Sequence, residues 1–382
     1  MFRGSFLTVL WVGPVQREDG LDVFPAVSLA ALRWQLYFLR ALNELGYRVK
    51  CVSYLPDRIF PFGKIIPKYN KKIDNLNVNQ ISYINLPFLR EITKERNLFF
   101  LSRTMEVPDL FFTYNSYKFN TKIGKFLQDK GAVWVNIVAD NDESIFADGN
   151  LFLSEYAFKK SRSAKKIYFY PPPYTLSNLE ETRLNAHSEN HSDFDKKKEV
   201  KLLSYFGALS EHSGIAEWLK WYGTLDKSIQ EKYSVQVYGR GPLESEVRHL
   251  ASKNKNIRYG GFLNEQQLRE EKINSDILLN PRPDSAESLL NFPSKLQYYL
   301  PFQKPIISSY SESLPLEFRK FLFTYRNFDE AERLLRRFSS NDSDLLVEEK
   351  LKLMRVYCDN HSWKKSVSAV IDFFLDCQGH AS

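Results

Sequence analysis

The sequence predicts an α/β protein made of two successive doubly wound units. Short apolar runs, each bounded by Gly, Pro or polar residues, alternate with amphipathic stretches, the pattern of a parallel sheet covered by helices. The alternation runs to residue 170, breaks over a polar segment and restarts at residue 200. A length of 382 residues is enough for two separate cores.

In the first half, Phe6 to Val12 reads as a strand ending at Gly13-Pro14, and Ala26 to Leu45 as a helix closed by Gly46. Val49 to Tyr54 and Asp109 to Tyr114 read as strands, Thr121 to Lys130 as a helix, and Val133 to Val138 as a strand. Leu151 to Ser154, Glu155 to Ser163 and Lys166 to Tyr170 complete the unit as strand, helix and strand. Residues 184–199 are polar and charge-rich, a linker or flexible loop.

The second unit begins with a strand over Val200 to Phe206 and a helix over Ala216 to Tyr222. Ser234 to Tyr238, Ile257 to Tyr259, Ile277 to Asn280 and Pro305 to Ser308 follow as strands. Between them lie helices over Leu243 to Ser252, Glu265 to Asn274 and Lys295 to Leu300. Phe328 to Phe338, Leu345 to Tyr357 and His361 to Cys377 close the chain as helices. The expected domains are 1–183, then 200–358 after the linker, with 359–382 a helix packing back toward the first domain.

Composition narrows the function classes. No run of about 18 apolar residues occurs, so no membrane-spanning helix is expected, and no leader peptide pattern opens the chain. The cysteines (Cys51, Cys358, Cys377) lack a metal-ligand or disulfide spacing. Zinc-finger, helix-turn-helix and RNP patterns are absent, so nucleic acid is not an expected partner. The net charge of +7 is uneven: residues 1–170 hold 24 Lys and Arg against 16 Asp and Glu, the remainder 29 against 30. Such a basic half admits an anionic membrane surface as a partner, and equally a solvated surface rich in lysine.

The chemistry concentrates in Asn280-Pro281-Arg282-Pro283, followed by Asn291-Phe292-Pro293-Ser294-Lys295-Leu296. A buried strand runs into a proline-broken loop, and a Ser-Lys pair then opens a helix. Free N–H groups, a positive dipole end and a lysine suit phosphate there. Arg282 offers a bidentate phosphate donor. The plainer alternatives are a helix cap for Ser294 and a surface lysine for Lys295. Gly207 and the Gly239-Arg240-Gly241 turn end the first two strands of the unit, where glycine lets a backbone approach a ligand. Neither G-x-G-x-x-G nor a P-loop pattern occurs.

In order, Tyr205-Phe206-Gly207-Ala208-Leu209-Ser210, Val237-Tyr238-Gly239-Arg240-Gly241-Pro242-Leu243, Asn256 to Leu263, Asp276 to Arg282, and Phe292 to Lys295 resemble one family. It is the retaining GT-B glycosyltransferases of the glycogen-synthase-like group (glycosyltransferase family four), bacterial polysaccharide-assembly type. The resemblance spans about residues 200–310. It implies two Rossmann-like domains facing across a cleft. It also implies hexosyl transfer from a nucleotide diphosphate sugar to a glycan or lipid-linked acceptor, with retention, no metal and no bound cofactor. Cytoplasmic residence, peripheral to the inner face of a membrane, goes with that expectation.

The resemblance places the donor on Gly207, Arg240, Gly241, Asn291, Phe292, Ser294, Lys295 and Tyr298. Lys295 and Arg282 become catalytic candidates that hold the diphosphate. Asp140, in Asp140-Asn141-Asp142-Glu143 after a strand, becomes the candidate for the acceptor hydroxyl, with a turn or capping role as its alternative. The chain departs from the family pattern where a basic pair is usual, at Ala208 and Ser213, and where a ribose-gripping Glu is usual, at Tyr298. Two alternatives stand beside the transferase: a degenerate binding or scaffold protein, and a sugar-nucleotide epimerase.

Overall fold

The structure is a computed structural model. It describes residues 7–17, 28–68, 73, 76, 78–115, 117–140, 143–174, 200–340 and 344–376. The chain divides into two units, residues 1–170 with 363–382, and residues 171–362.

The first unit carries a sheet of seven parallel strands in the order β3-β2-β1-β4-β5-β6-β7. These are β1 Thr8–Gly13, β2 Arg48–Ser53, β3 Val78–Gln80, β4 Leu110–Tyr114, β5 Val133–Val138, β6 Gly149–Phe152 and β7 Lys166–Tyr168. The central strands are buried throughout, which is why they read as mainly apolar rather than alternating; their polar members Thr113, Asn136 and Asn150 are bonded to one another across the sheet. Helices α1 Leu29–Glu44, α2 Leu89–Arg103, α3 Lys118–Gln128 and α4 Glu155–Lys160 connect them. Trp11, Trp34, Phe38, Phe112 and Phe169 pack ring against ring on one face of the sheet. Leu10, Val52, Phe111, Ile123, Leu127 and Trp134 build the core of the other face.

The second unit has six parallel strands in the order β10-β9-β8-β11-β12-β13. They are β8 Lys201–Phe206, β9 Tyr233–Tyr238, β10 Ile257–Gly261, β11 Ile277–Asn280, β12 Ile306–Ser309 and β13 Phe323–Tyr325. Its helices are α5 Ile215–Tyr222, α6 Lys227–Gln230, α7 Glu244–Lys253, α8 Glu265–Asn274, α9 Ala286–Leu290, α10 Lys295–Tyr299, α11 Leu316–Phe321, α12 Phe328–Ser339 and α13 Asp344–Asn360. Two buried clusters sandwich this sheet, one around Leu203, Trp218, Val235 and Leu279, the other around Phe206, Leu278, Tyr299 and Phe318.

The last helix, α14 Trp363–Asp376, belongs to the first unit. Trp363 packs against Trp34, Tyr37 and Phe169. The domain boundary expected at residue 183 moves earlier. Residues 171–174 are tied into the second unit by Tyr357 Oη donating to the Pro171 carbonyl (3.0 Å) and Gln297 Nε2 to that of Pro172 (2.8 Å). The expected linker at 184–199 lies outside the described residues.

Both sheets reverse their strand order once, between β1 and β4 and between β8 and β11. In open parallel sheets the crevice past the strand ends at such a reversal is where ligands bind.

Candidate functional site

The second unit's reversal gathers four of the residues that the sequence singled out, Gly207, Arg282, Asn291 and Lys295. β8 ends at Phe206, and Gly207 follows with its backbone against the side chain of Lys295. A Cβ on Gly207 would lie 2.8 Å from Lys295 Cε. Lys295 opens α10, and its Nζ stands 3.8 Å from the ring centroid of Tyr205. Tyr205 is itself fixed by donating to the Ala208 carbonyl (2.7 Å). The lysine keeps some exposed surface, but its ammonium is enclosed, which lowers its pKa to about 7. Desolvation is the main cause, and the neighbouring Arg282 guanidinium adds to it.

Arg282 leaves β11 through Pro281. Its guanidinium reaches Ser288 Oγ (3.3 Å) and the Asn291 carbonyl (3.4 Å), which places it against α9 and the loop beyond. Burial lowers its pKa as well. Among the described residues, neither cation has a carboxylate within ion-pair distance. Two cations withdrawn from water and held side by side repel one another, so the place favours an anion.

Tyr299 locks this arrangement from below. Its hydroxyl accepts from the Phe206 amide (3.1 Å) and lies 3.2 Å from the Leu279 carbonyl, so it joins β8, β11 and α10. Asn280 at the end of β11 donates to Ser308 Oγ on β12 (2.9 Å). The glycine turn after β9 packs backbone on backbone: a Cβ on Gly239 would lie 1.8 Å from the Gly207 carbonyl oxygen, and φ there is +142°. A Cβ on Gly241 would lie 2.3 Å from the Leu209 carbonyl oxygen. Only residues without a Cβ allow these loops to meet.

The expected donor residues separate into groups. Lys295, Arg282, Gly207 and Asn291 come together. Ser294 takes the helix-cap position in helical conformation and makes no capping bond, so its hydroxyl is not a cap. The helix spans only residues 295–299, which leaves the two side-chain cations, rather than a helix dipole, as the main positive charge. Arg240 stacks over the exposed ring of Phe262, 4.4 Å from its centroid. Phe292 packs edge-on against Phe318 in the core (5.2 Å). Tyr298 stacks on Tyr174 at 4.3 Å. Ser213, where a basic residue would be usual, donates to the Ser210 carbonyl (2.6 Å) within its own loop. Tyr205, Ser288 and Tyr299 were not singled out beforehand. Their role is to hold the cations and strands in place, and only the Tyr-x-Gly motif hinted at the first.

Asp140 lies in the first unit, just past β5. Its Oδ2 accepts from Asn115 Nδ2 (2.9 Å), while Asn115 Oδ1 accepts from the Ala139 amide (3.0 Å). Asn115 sits just past β4 with φ +61°, a left-handed conformation that Asn tolerates better than most residues. Asn141 and Asp142 lie outside the described residues, and Glu143 accepts from Ser161 Oγ (2.8 Å).

Two units of this topology, each with a parallel sheet and one strand reversal, make the fold GT-B. Solved structures share it over almost the whole chain. A trehalose 6-phosphate synthase from Burkholderia multivorans is 12% identical with a TM-score of 0.64, covering 99% of this chain and 98% of that one. The sucrose-phosphate synthase of Thermosynechococcus elongatus is 10% identical with a TM-score of 0.63, covering 98% and 100%. A trehalose-6-phosphate structure from E. coli, bound with UDP-2-fluoro glucose, is 11% identical with a TM-score of 0.62, covering 96% and 98%. No protein-family profile and no curated protein matches the sequence.

Proposed function

We propose that this chain transfers a sugar from a nucleotide diphosphate sugar to an acceptor hydroxyl with retention. The observation that carries the reading is the Lys295–Arg282 pair at the β8/β11 reversal. An entering diphosphate relieves the repulsion between the two cations. As the bond from sugar to diphosphate breaks, negative charge collects on the leaving group, and preorganised cations in a desolvated site stabilise it. In this reading Lys295 and Arg282 supply that charge in place of a divalent ion. Gly207 and Gly241 leave room for the donor, and Ser294, Asn291 and Tyr298 border it. Arg240 and Phe262 offer a stacked surface for the base. The likeness in fold to a structure bound with UDP-2-fluoro glucose supports the donor class. Asp140, oriented by Asn115, is the group assigned to the acceptor hydroxyl.

The acceptor in this reading is a glycan or a lipid-linked sugar, and the role is cell-surface polysaccharide or glycolipid synthesis at the inner face of a membrane. The basic excess of residues 1–170 supports this finer part. A second reading, a nucleotide-binding protein without turnover, is favoured by Tyr298 and by Ser213 being bonded within its own loop.

Thermal unfolding with UDP, GDP, TDP and CMP sugars tests the proposal. Stabilisation by at least one, lost in Lys295→Ala, is the expected outcome; no response to any of them overturns it. Release of nucleotide diphosphate only when an acceptor is present identifies the transferase. Turnover of the sugar nucleotide without acceptor identifies an epimerase, and binding without turnover the second reading.

A further inference from the structure

Helix α2 is inverted relative to an ordinary surface helix. Its buried residues are Lys94, Leu98 and Ser102, while its exposed face carries Ile92 and Phe100 (62% and 70% exposed), with Arg96 and Arg103 between and after them. These positions recur every three or four residues and so share one face. Phe88, just before the helix, is 88% exposed and held at φ +64°. That conformation is strained for a bulky residue and persists only where the surroundings enforce it.

The loop over residues 57–66 adjoins this helix. Asn85, in the segment leading into the helix, holds the loop: its Nδ2 donates to the Arg58 (2.6 Å) and Lys64 (3.0 Å) carbonyls, its amide to that of Ile65 (2.7 Å), and its carbonyl accepts from the Phe60 amide (3.1 Å). The same segment is tied to the helix by the Ile84 amide donating to Thr93 Oγ1 (3.0 Å) and Asn97 Nδ2 donating to the Ser82 carbonyl (2.7 Å). The loop adds Phe62, 83% exposed, with Ile59, Phe60, Ile65 and Ile66 also exposed. Exposed aromatic and aliphatic side chains therefore gather on segments that are hydrogen-bonded to one another rather than lying scattered singly.

The charge around the patch decides what covers it. The described residues between 57 and 103 include seven Lys and Arg against three Asp and Glu. The described acids are committed internally. Asp57 accepts from the Arg58 and Lys64 amides (2.8 Å each), Glu91 pairs with Arg90 and Lys94 (3.2 Å each), and Glu95 with Lys122 (3.8 Å). Apolar side chains set among arginines and lysines match the interface of an anionic bilayer, where the apolar groups sink about 5–10 Å and the cations meet headgroups.

The geometry points to this patch, the 57–66 loop with Phe88 and the outer face of α2, as the surface by which the first unit docks on an anionic lipid membrane. It deepens the membrane part of the function proposed above and is independent of the donor site. Phe62, Phe88 and Ile92 insert, and Arg96 and Arg103 bind headgroups.

Flotation of the full chain with vesicles of phosphatidylcholine alone, and with 30% phosphatidylglycerol, is the test. Binding to the anionic vesicles is expected, with at least a tenfold loss in the exposed-residue variant Phe62→Asp/Phe88→Asp/Ile92→Asp and a smaller loss in Arg96→Glu/Arg103→Glu. Stabilisation by the nucleotide sugar stays unchanged in both variants, which separates this inference from the donor site. No flotation of the wild-type chain overturns the inference, as does equal flotation of the triple variant. Self-association abolished by the triple variant, without vesicle binding, overturns it in favour of a second copy of the chain.

Discussion

Lys94 in the first unit and Lys295 in the second both stand over aromatic rings, and they differ in what else surrounds them. In the first unit Lys94 is buried over Tyr83 (4.7 Å), Phe119 (5.0 Å) and Tyr54 (5.6 Å), with Glu91 3.2 Å from its ammonium. Desolvation lowers its pKa, while Glu91 opposes the shift. In the second unit Lys295 stands over Tyr205, but its neighbour is another cation, Arg282, and its backbone contact is a bare glycine. Lys94 is compensated and reads as structure. Lys295 is left for an external anion to compensate. The lesson is that a lysine among aromatic rings says little until the sign of its nearest charge is known.

The largest expected difference is in ligand binding. Lys295→Met should weaken nucleoside diphosphate binding by roughly 2–5 kcal/mol, the usual cost of removing one partner of a desolvated charge pair. Lys94→Met should leave it unchanged in the same titration calorimetry. Equal losses would erase the contrast.

Gly207→Ala comes next. The new Cβ lies 2.8 Å from Lys295 Cε, so the flexible lysine end must swing aside. Binding should fall about tenfold, roughly 1.4 kcal/mol, and the melting temperature should fall as well, because Gly207 holds a φ of +155° that a residue with a Cβ rarely adopts. A variant that binds normally would mean the lysine does not work from the position described.

Proton linkage provides a third test. The folded pKa of Lys295, about 7, lies below the value of about 10.4 for an unperturbed lysine. Between those pH values the unfolded chain binds the extra proton, so this lysine makes the ligand-free protein more stable as pH rises from about 7 to 10. Lys295→Met should flatten that rise in urea titrations. A bound diphosphate favours the protonated form, so binding above pH 7 should take up a proton, visible as a dependence of calorimetric heat on the buffer.

The smallest effect is on Lys94. Glu91 is about half exposed and also pairs with Arg90, so Lys94→Met leaves no buried charge unpaired. The melting temperature should stay the same or rise slightly, because an apolar side chain of similar size avoids the desolvation cost.

The sequence carried the alternation of strand and helix well, because central strands of a parallel sheet are buried on both faces and end at Gly or Pro. Val133 to Val138, Glu265 to Asn274 and Ile277 to Asn280 were placed with their observed bounds. Helix α2 is not legible in the sequence, since its outward face carries Ile92 and Phe100 and its inward face a lysine, so no inward apolar stripe marks it. The strands β3 and β13, three residues each, are too short to show a period. At the site, Lys295, Arg282 and Gly207 were legible from residue type at strand ends. Gln297 could not be placed: its amide is spent on the Pro172 carbonyl, a partner 125 residues away.

What the sequence by itself determined is the repeated α/β pattern and the residues at the ends of β8, β9 and β11, because local chain geometry sets where a strand stops and where glycine is tolerated. Only the tertiary structure decided that Phe292 packs into the core, that Tyr298 meets Tyr174, and that Lys295 faces Arg282 with no described acid beside them. Those outcomes depend on burial and on charges brought together from distant parts of the chain, and no short window of sequence contains both partners.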